Sequence, residues 1–464
     1  MLLRHRFPAD LLTPLSAYLA LRPQGASLLL ESADQGERVG RHSFVLVGNA
    51  GEVKLDAPGR GWVEALRGLR GPLEGAGALS QDSELPEGRG AMPIGVGCAG
   101  YLGFEALGAL EPSLPLPARD SLGLPTVWAR RFDAALVFDH LHQVAELQVQ
   151  AETEAEGRAR LQALRAALDA PLSALDEPGR PDAEPLLPQE AYEGLVRRAL
   201  ALIRDGDVYQ MVPSQRIRVA HPPSPLTAYR RMRRLNPSPY GYLLEWEGFA
   251  LAGASPEMLV RVAEGEAETL PIAGTVPRGA DEAEDAARFE ALKADAKELA
   301  EHQMLVDLAR NDLGRISVPG GVRVEKPLAL QRTSHVLHLT TTVKGRLRPG
   351  LDALDALAAC FPAGTVSGAP KIRAAQRIAE MEGDRRGPYG GALLRLAADG
   401  SLDTALILRT AVYAGGHAYL QAGAGVVRAS DPLREYRETV HKMAAPAAAL
   451  GVDLRAMLES EVAK

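Results

Sequence analysis

The rhythm of its apolar segments restricts the fold of this chain more than any other feature. From residue 1 to about 150, short apolar runs alternate with Gly-rich turns, in SLLLES, HSFVLVGN, MPIGVGCAGYLGF, WARRFDAALVFDH and QVAELQVQAE. Runs of this kind, bounded by turn residues, read as strands of a largely antiparallel sheet. Strand-like runs return in VYQMVPSQRIRV, YGYLLEW, FALAGASP, HVLHLTTTVKG, YGGALLRL, ALILRTAVYA and HAYLQAGAGVV. Helical periodicity marks 154–169, about 189–204, and stretches near 283–310, 351–359, 371–381 and 434–448. The helices fall between strands without a strict β-α-β beat, so the expected class is α+β and not a doubly wound parallel sheet. APLSALDEPGRPDAEPLLPQ is Pro-rich, acidic and without period, which predicts a linker at 171–188 between domains at 1–170 and 189–464.

Composition narrows the function classes. With 46% hydrophobic and 24% charged residues, the 464-residue chain can bury a large core. A formal net charge of −7 argues against nucleic acid or an anionic membrane as the main partner. Local cations must therefore hold any anionic substrate. Two cysteines, Cys98 and Cys360, exclude a disulfide framework and fit a reducing cytoplasm. Neither sits in the setting of an activated thiolate, and no Cys/His cluster has zinc spacing. The N-terminus MLLRHRFPADLL is too short and interrupted for a signal peptide, and no stretch approaches membrane-spanning length.

Two glutamate pairs stand out. Glu298 and Glu301 lie in KADAKELAEHQMLVDLARND, Glu435 and Glu438 in DPLREYRETVHKM. Residues three apart share a helix face, so each pair aims two carboxylates one way. Two such helices facing each other would form an acidic site for Mg²⁺, which takes hard oxygen ligands and keeps positions for water and an anion. Ordinary i,i+4 ion pairs, Lys297 with Glu301 and Arg434 with Glu438, fit the same spacing. FPAGTVSGAPKIRAAQ fails as a phosphate loop, because Gly364 and Gly368 are too close and Lys371 follows Ala-Pro. It reads instead as a tight turn into a helix beginning near Lys371, with Thr365 near the pocket. Gly423, Ala424 and Gly425 in QAGAGVV are small enough for backbone N–H groups to approach a carboxylate; a bulge is the alternative. Tyr389 in GPYGG and Arg409 in ILRT fall on neighbouring strand candidates, and an arginine grips a carboxylate through two hydrogen bonds.

In order, PIAGTVPRG, KELAEHQMLVDLARNDLGRI, SHVLHLTTTVKGRL, FPAGTVSGAPK, RRGPYGG, LDTALILRT and QAGAGVV followed by DPLREYRET closely resemble the chorismate-utilising enzymes over roughly residues 190 to 445. That family includes anthranilate synthase component I, para-aminobenzoate synthase component I, and the isochorismate and salicylate synthases. The resemblance implies two stacked, largely antiparallel sheets surrounded by helices. It implies that Glu301 and Glu438 ligate Mg²⁺, supported by Glu298 and Glu435, with the metal on the ring carboxylate of chorismate. Tyr389, Arg409, Gly423, Ala424 and Gly425 would hold the enolpyruvyl carboxylate, while Gly274, Thr275 and Lys442 line the site.

Three positions narrow the implied reaction. Gln210 stands where the isochorismate- and salicylate-forming relatives carry a water-activating lysine, and an amide is a poor base. Ala273 stands where para-aminobenzoate relatives usually have a lysine able to attack the ring. LLES with Glu31 and Ser32, paired with NPSPY and its Pro239, Tyr240 and following Gly241, resembles a tryptophan feedback site. The implied reaction joins chorismate and ammonia to give anthranilate and pyruvate. It is the first step of tryptophan biosynthesis, with Glu257 as general acid and His338 moving the proton in the elimination. Judged without the family, His338 reads more readily as a core histidine on a strand face. Val276 replaces an expected arginine and Gly241 an expected methionine. The chain carries no glutaminase half, so a separate glutamine amidotransferase subunit is the expected ammonia source. The competing expectations are a para-aminobenzoate synthase component and a non-catalytic tryptophan-sensing subunit.

Overall fold

The computed structural model describes residues 1–32, 40–56, 61–70, 80–83, 92–171, 181–332 and 336–455. The larger of two main sheets has 12 strands. Their order is Asp182–Pro185, Ser214–Ala220, His417–Gly423, Thr410–Ala414, Phe249–Ser255, Tyr240–Trp246, Ala26–Glu31, His42–Val47, Ala134–Asp139, Val144–Gln150, Leu2–Pro8 and Ser80–Ser83. Among the described residues only the last pair of this sheet is parallel. The second sheet has 10 strands, all antiparallel. It runs from Ile272–Pro277 through Val336–Leu347, Glu266–Thr269, Met258–Ala263, Leu402–Leu406, Ala392–Ala397, Gly97–Leu102 and Val127–Phe132 to Gly51–Leu55, and Ser317–Arg332 also pairs with Val336–Leu347.

Alternation along each strand puts every second side chain on the facing surface, and the two sheets bury those surfaces against each other. Leu28, Phe44, Val137, Tyr242 and Leu251 of the larger sheet meet Ala99, Tyr101, Trp128, Phe132 and Leu393 of the smaller. Trp128 and Trp246 lie 5.0 Å apart between ring centroids, Tyr101 and Phe249 5.1 Å. Each such large side chain contributes about 1.5–3 kcal/mol by burial. Helices Gln189–Arg204, Pro225–Leu235 and Pro432–Leu450 pack outside the larger sheet. Trp62–Arg70, Ala296–Gly314 and Ala353–Cys360 cover the smaller. The class is α+β with stacked antiparallel sheets, as expected.

Both sheets draw strands from either side of residues 171–188: Gly241 faces Glu31 in one, Ala392 faces Leu102 in the other. Within the stretch read as a linker, Asp182–Pro185 adds an edge strand, and 172–180 lie outside the described residues. The helix expected over 283–310 is two, Glu282–Ala294 and Ala296–Gly314. Asp295 divides them, its carboxylate accepting from the N–H groups of Lys297 and Glu298 at 2.9 and 3.0 Å. ALILRTAVYA, expected as one strand, is also two. Leu402–Leu406 belongs to the smaller sheet and Thr410–Ala414 to the larger, so the chain crosses between layers at 407–409. Phe249–Ser255 and Met258–Ala263 cross alongside in the opposite sense. Among the described residues no helix is long and apolar enough to cross a membrane.

Candidate functional site

The two crossings carry Glu257 and Arg409. They are tied together, because Leu406 N–H donates to Glu257 O at 3.0 Å and Ala254 N–H to Arg409 O at 3.4 Å. Arg409 has φ 48°, a left-handed conformation that costs a non-glycine residue about 1–3 kcal/mol and concentrates at functional sites. Its Nη1 lies 3.5 Å from Asn236 Oδ1. Burial holds its pKa down while the charge of Glu257 acts to raise it. Tyr389 and Arg409, expected on strands, both sit just outside them, in the turn before Ala392–Ala397 and at the crossing.

Glu257 is half-buried by surface area yet packed deep among protein atoms. That desolvation raises its carboxyl to about 7, against the pull of the Thr365 hydroxyl, Lys442 and Arg409. Thr365 Oγ1 donates to Glu257 Oε1 at 2.7 Å from a single 3-10 turn, Gly364–Val366, ahead of the helix Lys371–Glu382.

His338 is placed by a bulge. The register between Ile272–Pro277 and Val336–Leu347 shifts between Ala273 and Thr275, where Gly274 has φ 67°. That φ calls for glycine, and a Cβ there would also press on Leu292 Cδ1 at 3.0 Å. The bulge brings Gly274 O to 3.2 Å and Thr275 Oγ1 to 3.1 Å from His338 Nδ1. A carbonyl only accepts, so Nδ1 carries the proton and Nε2 keeps the lone pair. Burial lowers the His338 pKa, with Arg409 adding in the same direction against the Gly274 hydrogen bond.

Helix Ala296–Gly314 presents Glu298 and Glu301, and helix Pro432–Leu450 presents Glu435 and Glu438. Burial raises the Glu298 carboxyl, and the charges of Glu301, Asp295 and Glu438 raise it further. Glu435 is raised by burial and by Glu438, and Lys297 of the other helix acts on it. The two helices therefore turn their carboxylates toward one region. Gln210 Nε2 donates to Glu301 Oε1 at 3.2 Å, and among the described residues the buried Gln210 Oε1 has no hydrogen-bond partner. Lys442 Nζ lies 2.7 Å from Glu438 Oε1 and donates to Gly423 O at 3.0 Å. Among the described residues no three or more His, Cys, Asp or Glu side chains stand together as a group able to hold a metal ion. Carboxylates on these two helices are oxygen donors of the kind a hard divalent cation takes.

Close approach requires glycine at Gly423, where a Cβ would lie 2.8 Å from the backbone Pro213 O and 2.9 Å from Tyr389 Oη; on Gly425 a Cβ would press on the end of the Gln210 side chain, 2.9 Å from Nε2. Ala424 between them is fully buried, and burial pushes the Tyr389 phenol up to about 12. Sequence reasoning missed Arg386, which is 2% exposed. It donates to Val212 O at 2.6 Å, Val366 O at 2.7 Å and Glu382, with its guanidinium 5.4 Å from the Tyr389 ring centre. It thus ties together the segments bearing Gln210, Thr365 and Tyr389. Lys371 was missed too; its Nζ donates to Asp312 Oδ2 at 2.7 Å and Cys360 O at 2.9 Å, locking the turn to the Glu301 helix. The only sequence signal for either was a charge beside a Gly/Pro turn. Cys98 and Cys360 are buried, their thiols pushed up to about 12.

Apart from these, Glu31, Ser32, Pro239, Tyr240 and Gly241 line one cavity of about 500 Å³, part of it open to solvent. Ser32 Oγ donates to Pro239 O at 2.9 Å. Glu31 accepts from Tyr229 Oη at 2.6 Å and pairs with Arg233 at 3.0 Å, and burial raises its carboxyl.

The family profile of the chorismate binding enzymes matches residues 25–448, and the chain belongs to that family. Its relatives name one branch of it. The chain is 43% identical over 448 residues to anthranilate synthase component 1 of Thermus thermophilus, covering 95% of each. Identity to the Pseudomonas putida protein of the same name is 40% over 455 residues, 94% of this chain and 92% of that one. The crystal structure of anthranilate synthase component I from Streptococcus pneumoniae superposes with TM-score 0.78 at 34% identity, covering 89% of this chain and 93% of that chain. The menaquinone-specific isochorismate synthase of Escherichia coli shares the fold, with TM-score 0.74 at 22% identity over 97% of this chain and 94% of that one. The chain is thus a chorismate-binding enzyme of the anthranilate synthase component I type.

Proposed function

We propose that this chain converts chorismate and ammonia into anthranilate, pyruvate and water, as the first step of tryptophan biosynthesis in the cytoplasm. The observation that carries the reading is Glu257. It is a deep carboxyl raised to about 7, held by Thr365 beside Arg409 where the chain crosses between sheets. Near neutral pH such a group is partly protonated and able to donate. In this reading Glu257 protonates the departing ring hydroxyl, which leaves as water while ammonia bonds to the ring carbon next to the carboxylate-bearing one and the two ring double bonds shift between them. Nε2 of His338 then takes the proton from the aminated carbon, the enolpyruvyl C–O bond on the neighbouring ring carbon breaks as the ring becomes aromatic, and the enolpyruvate released takes up a proton to give pyruvate. Arg409, Tyr389 and the backbone of Gly423, Ala424 and Gly425 grip the enolpyruvyl carboxylate; Gly274, Thr275 and Lys442 close the walls. Gln210 orients Glu301 and supplies no base, which disfavours water as nucleophile. Glu301 and Glu438 would hold Mg²⁺, with Glu298 and Glu435 behind them. When bound, the cation neutralises the ring carboxylate of chorismate. Ammonia comes from glutamine through a separate amidotransferase subunit, and tryptophan binds the cavity at Glu31 and Ser32 as a feedback inhibitor.

Incubation of the purified chain with chorismate, Mg²⁺ and an ammonium salt tests this. Fluorescent anthranilate and an equal amount of pyruvate are expected. A product retaining the pyruvyl group would instead favour a para-aminobenzoate synthase, and no turnover a purely tryptophan-sensing subunit.

A further inference from the structure

The crossing that carries Arg409 is fastened from one side by residues outside the proposed site. Tyr242, Gly253 and Thr410 stand in one row across three neighbouring strands of the larger sheet, Tyr242 in register with Gly253 and Gly253 with Thr410. The tyrosine reaches over the glycine to the threonine, its hydroxyl 2.6 Å from Thr410 Oγ1. It does so because the residue between them has no side chain: a Cβ on Gly253 would lie 2.4 Å from the Tyr242 ring and 2.7 Å from Thr410 Oγ1. Tyr242 is fully buried and Thr410 is 6% exposed. Thr410 Oγ1 in turn donates to Leu408 O at 2.7 Å. A carbonyl only accepts and a threonine hydroxyl has one proton, so Tyr242 is the donor to Thr410. The bond from Thr410 to Leu408 spans Arg409, whose φ of 48° is the strained point of the crossing. Arg409 itself is held by longer bonds, its carbonyl by Ala254 N–H at 3.4 Å and its Nη1 by Asn236 Oδ1 at 3.5 Å.

We propose that Thr410 is the positioning residue for Arg409: its hydroxyl, oriented by Tyr242, closes the turn from Leu408 to Thr410 and so aims the Arg409 guanidinium at the substrate. The inference rests on the reading of Arg409 as the grip on the enolpyruvyl carboxylate and adds to it what holds that grip in place. A left-handed arginine released from such a tie relaxes toward the ordinary regions of φ, and the change of φ swings its side chain. The two-bond grip of a guanidinium on a carboxylate is directional, so a small error of aim weakens it.

Steady-state kinetics of the full chain with chorismate, Mg²⁺ and an ammonium salt tests it. Thr410→Val keeps the shape of the side chain and removes the hydroxyl. Arg409 grips the same carboxylate before and during the reaction, so KM for chorismate should rise about tenfold with kcat changed less than about threefold. Thr410→Ser restores the hydroxyl and should return KM to within about twofold of the unaltered chain. If Thr410→Val does not fold, Tyr242→Phe stands in, losing only the hydroxyl that orients Thr410, with a KM rise of about two- to fivefold expected. A purely structural role would lower the melting temperature and the active fraction and leave KM in place. Arg409→Gln is the reference: an unmoved KM there overturns the substrate reading of Arg409, and this inference with it. With that reading intact, the inference alone is overturned by an unmoved KM in a folded Thr410→Val protein, by a raised KM that Thr410→Ser does not restore, or, where it stands in, by an unmoved KM in Tyr242→Phe.

Discussion

Replacing Thr365 by valine removes the hydroxyl that donates to Glu257 at 2.7 Å and keeps the shape of the side chain. That hydroxyl is the strongest force opposing burial on the Glu257 carboxyl. A hydrogen bond to a charged group contributes about 1.5–3 kcal/mol, and one pKa unit corresponds to about 1.36 kcal/mol. The full effect would be about 1–2 units. The hydroxyl also bonds the neutral acid, so the net shift lies at the lower end, about one unit. The sign follows from which form is lost. The donor stabilises the carboxylate, so its removal raises the pKa. The acid is the active form, so the basic limb of the pH profile moves from about 7 upward by about one unit. The assay is kcat/KM for chorismate at a fixed concentration of free ammonia across the neutral range. Glu257→Gln serves as reference, with the limb abolished and activity down about 10²- to 10⁴-fold. A limb that stays in place or moves to lower pH in Thr365→Val would show that it does not report Glu257, and the general-acid assignment would be lost.

Other consequences are open to measurement. The depressed pKa of His338 places the acidic limb of the same profile below the ordinary histidine value, and His338→Asn should remove that limb while leaving the basic one. Lys371→Met leaves the buried Asp312 without its partner, and losing one member of such a pair costs about 3–5 kcal/mol. Burial already raises the Asp312 pKa in the folded state. The variant's stability should therefore be best retained at low pH and fall further as pH rises, read by urea denaturation at two pH values. Glutamine should support turnover only after a separate amidotransferase subunit is added; glutamine-dependent turnover by the chain alone would contradict the partner assignment.

The fold was legible wherever local pattern governs it. His42–Val47, Val144–Gln150 and Gln189–Arg204 keep the boundaries that alternation or helical period predicts, within a residue or two. What periodicity conceals is a change of layer. ALILRTAVYA is continuously apolar on both sides of Arg409, because both sheets bury it, and nothing local marks the crossing. The helix break at Asp295 was hidden for a related reason, since one aspartate as N-cap interrupts the axis without altering the surrounding helix formers. The site residues were legible as a set through the family resemblance, while their contacts were not. Thr365 reaches Glu257 across 108 residues, and Gln210 reaches Glu301 across 91. Arg386 escaped because a buried arginine beside a turn looks like any surface charge until its neighbours are known.

The convergence of helices Ala296–Gly314 and Pro432–Leu450 on one divalent cation is tested most directly by a double-mutant cycle on Glu301 and Glu438. Mg²⁺ is titrated into the chorismate-bound protein for the unaltered chain, Glu301→Gln, Glu438→Gln and the pair. Two ligands of one ion predict that each single change weakens Mg²⁺ binding at least about tenfold and that the pair costs clearly less than the sum of the two. Unchanged Mg²⁺ binding in either single variant, or strictly additive losses, would contradict it.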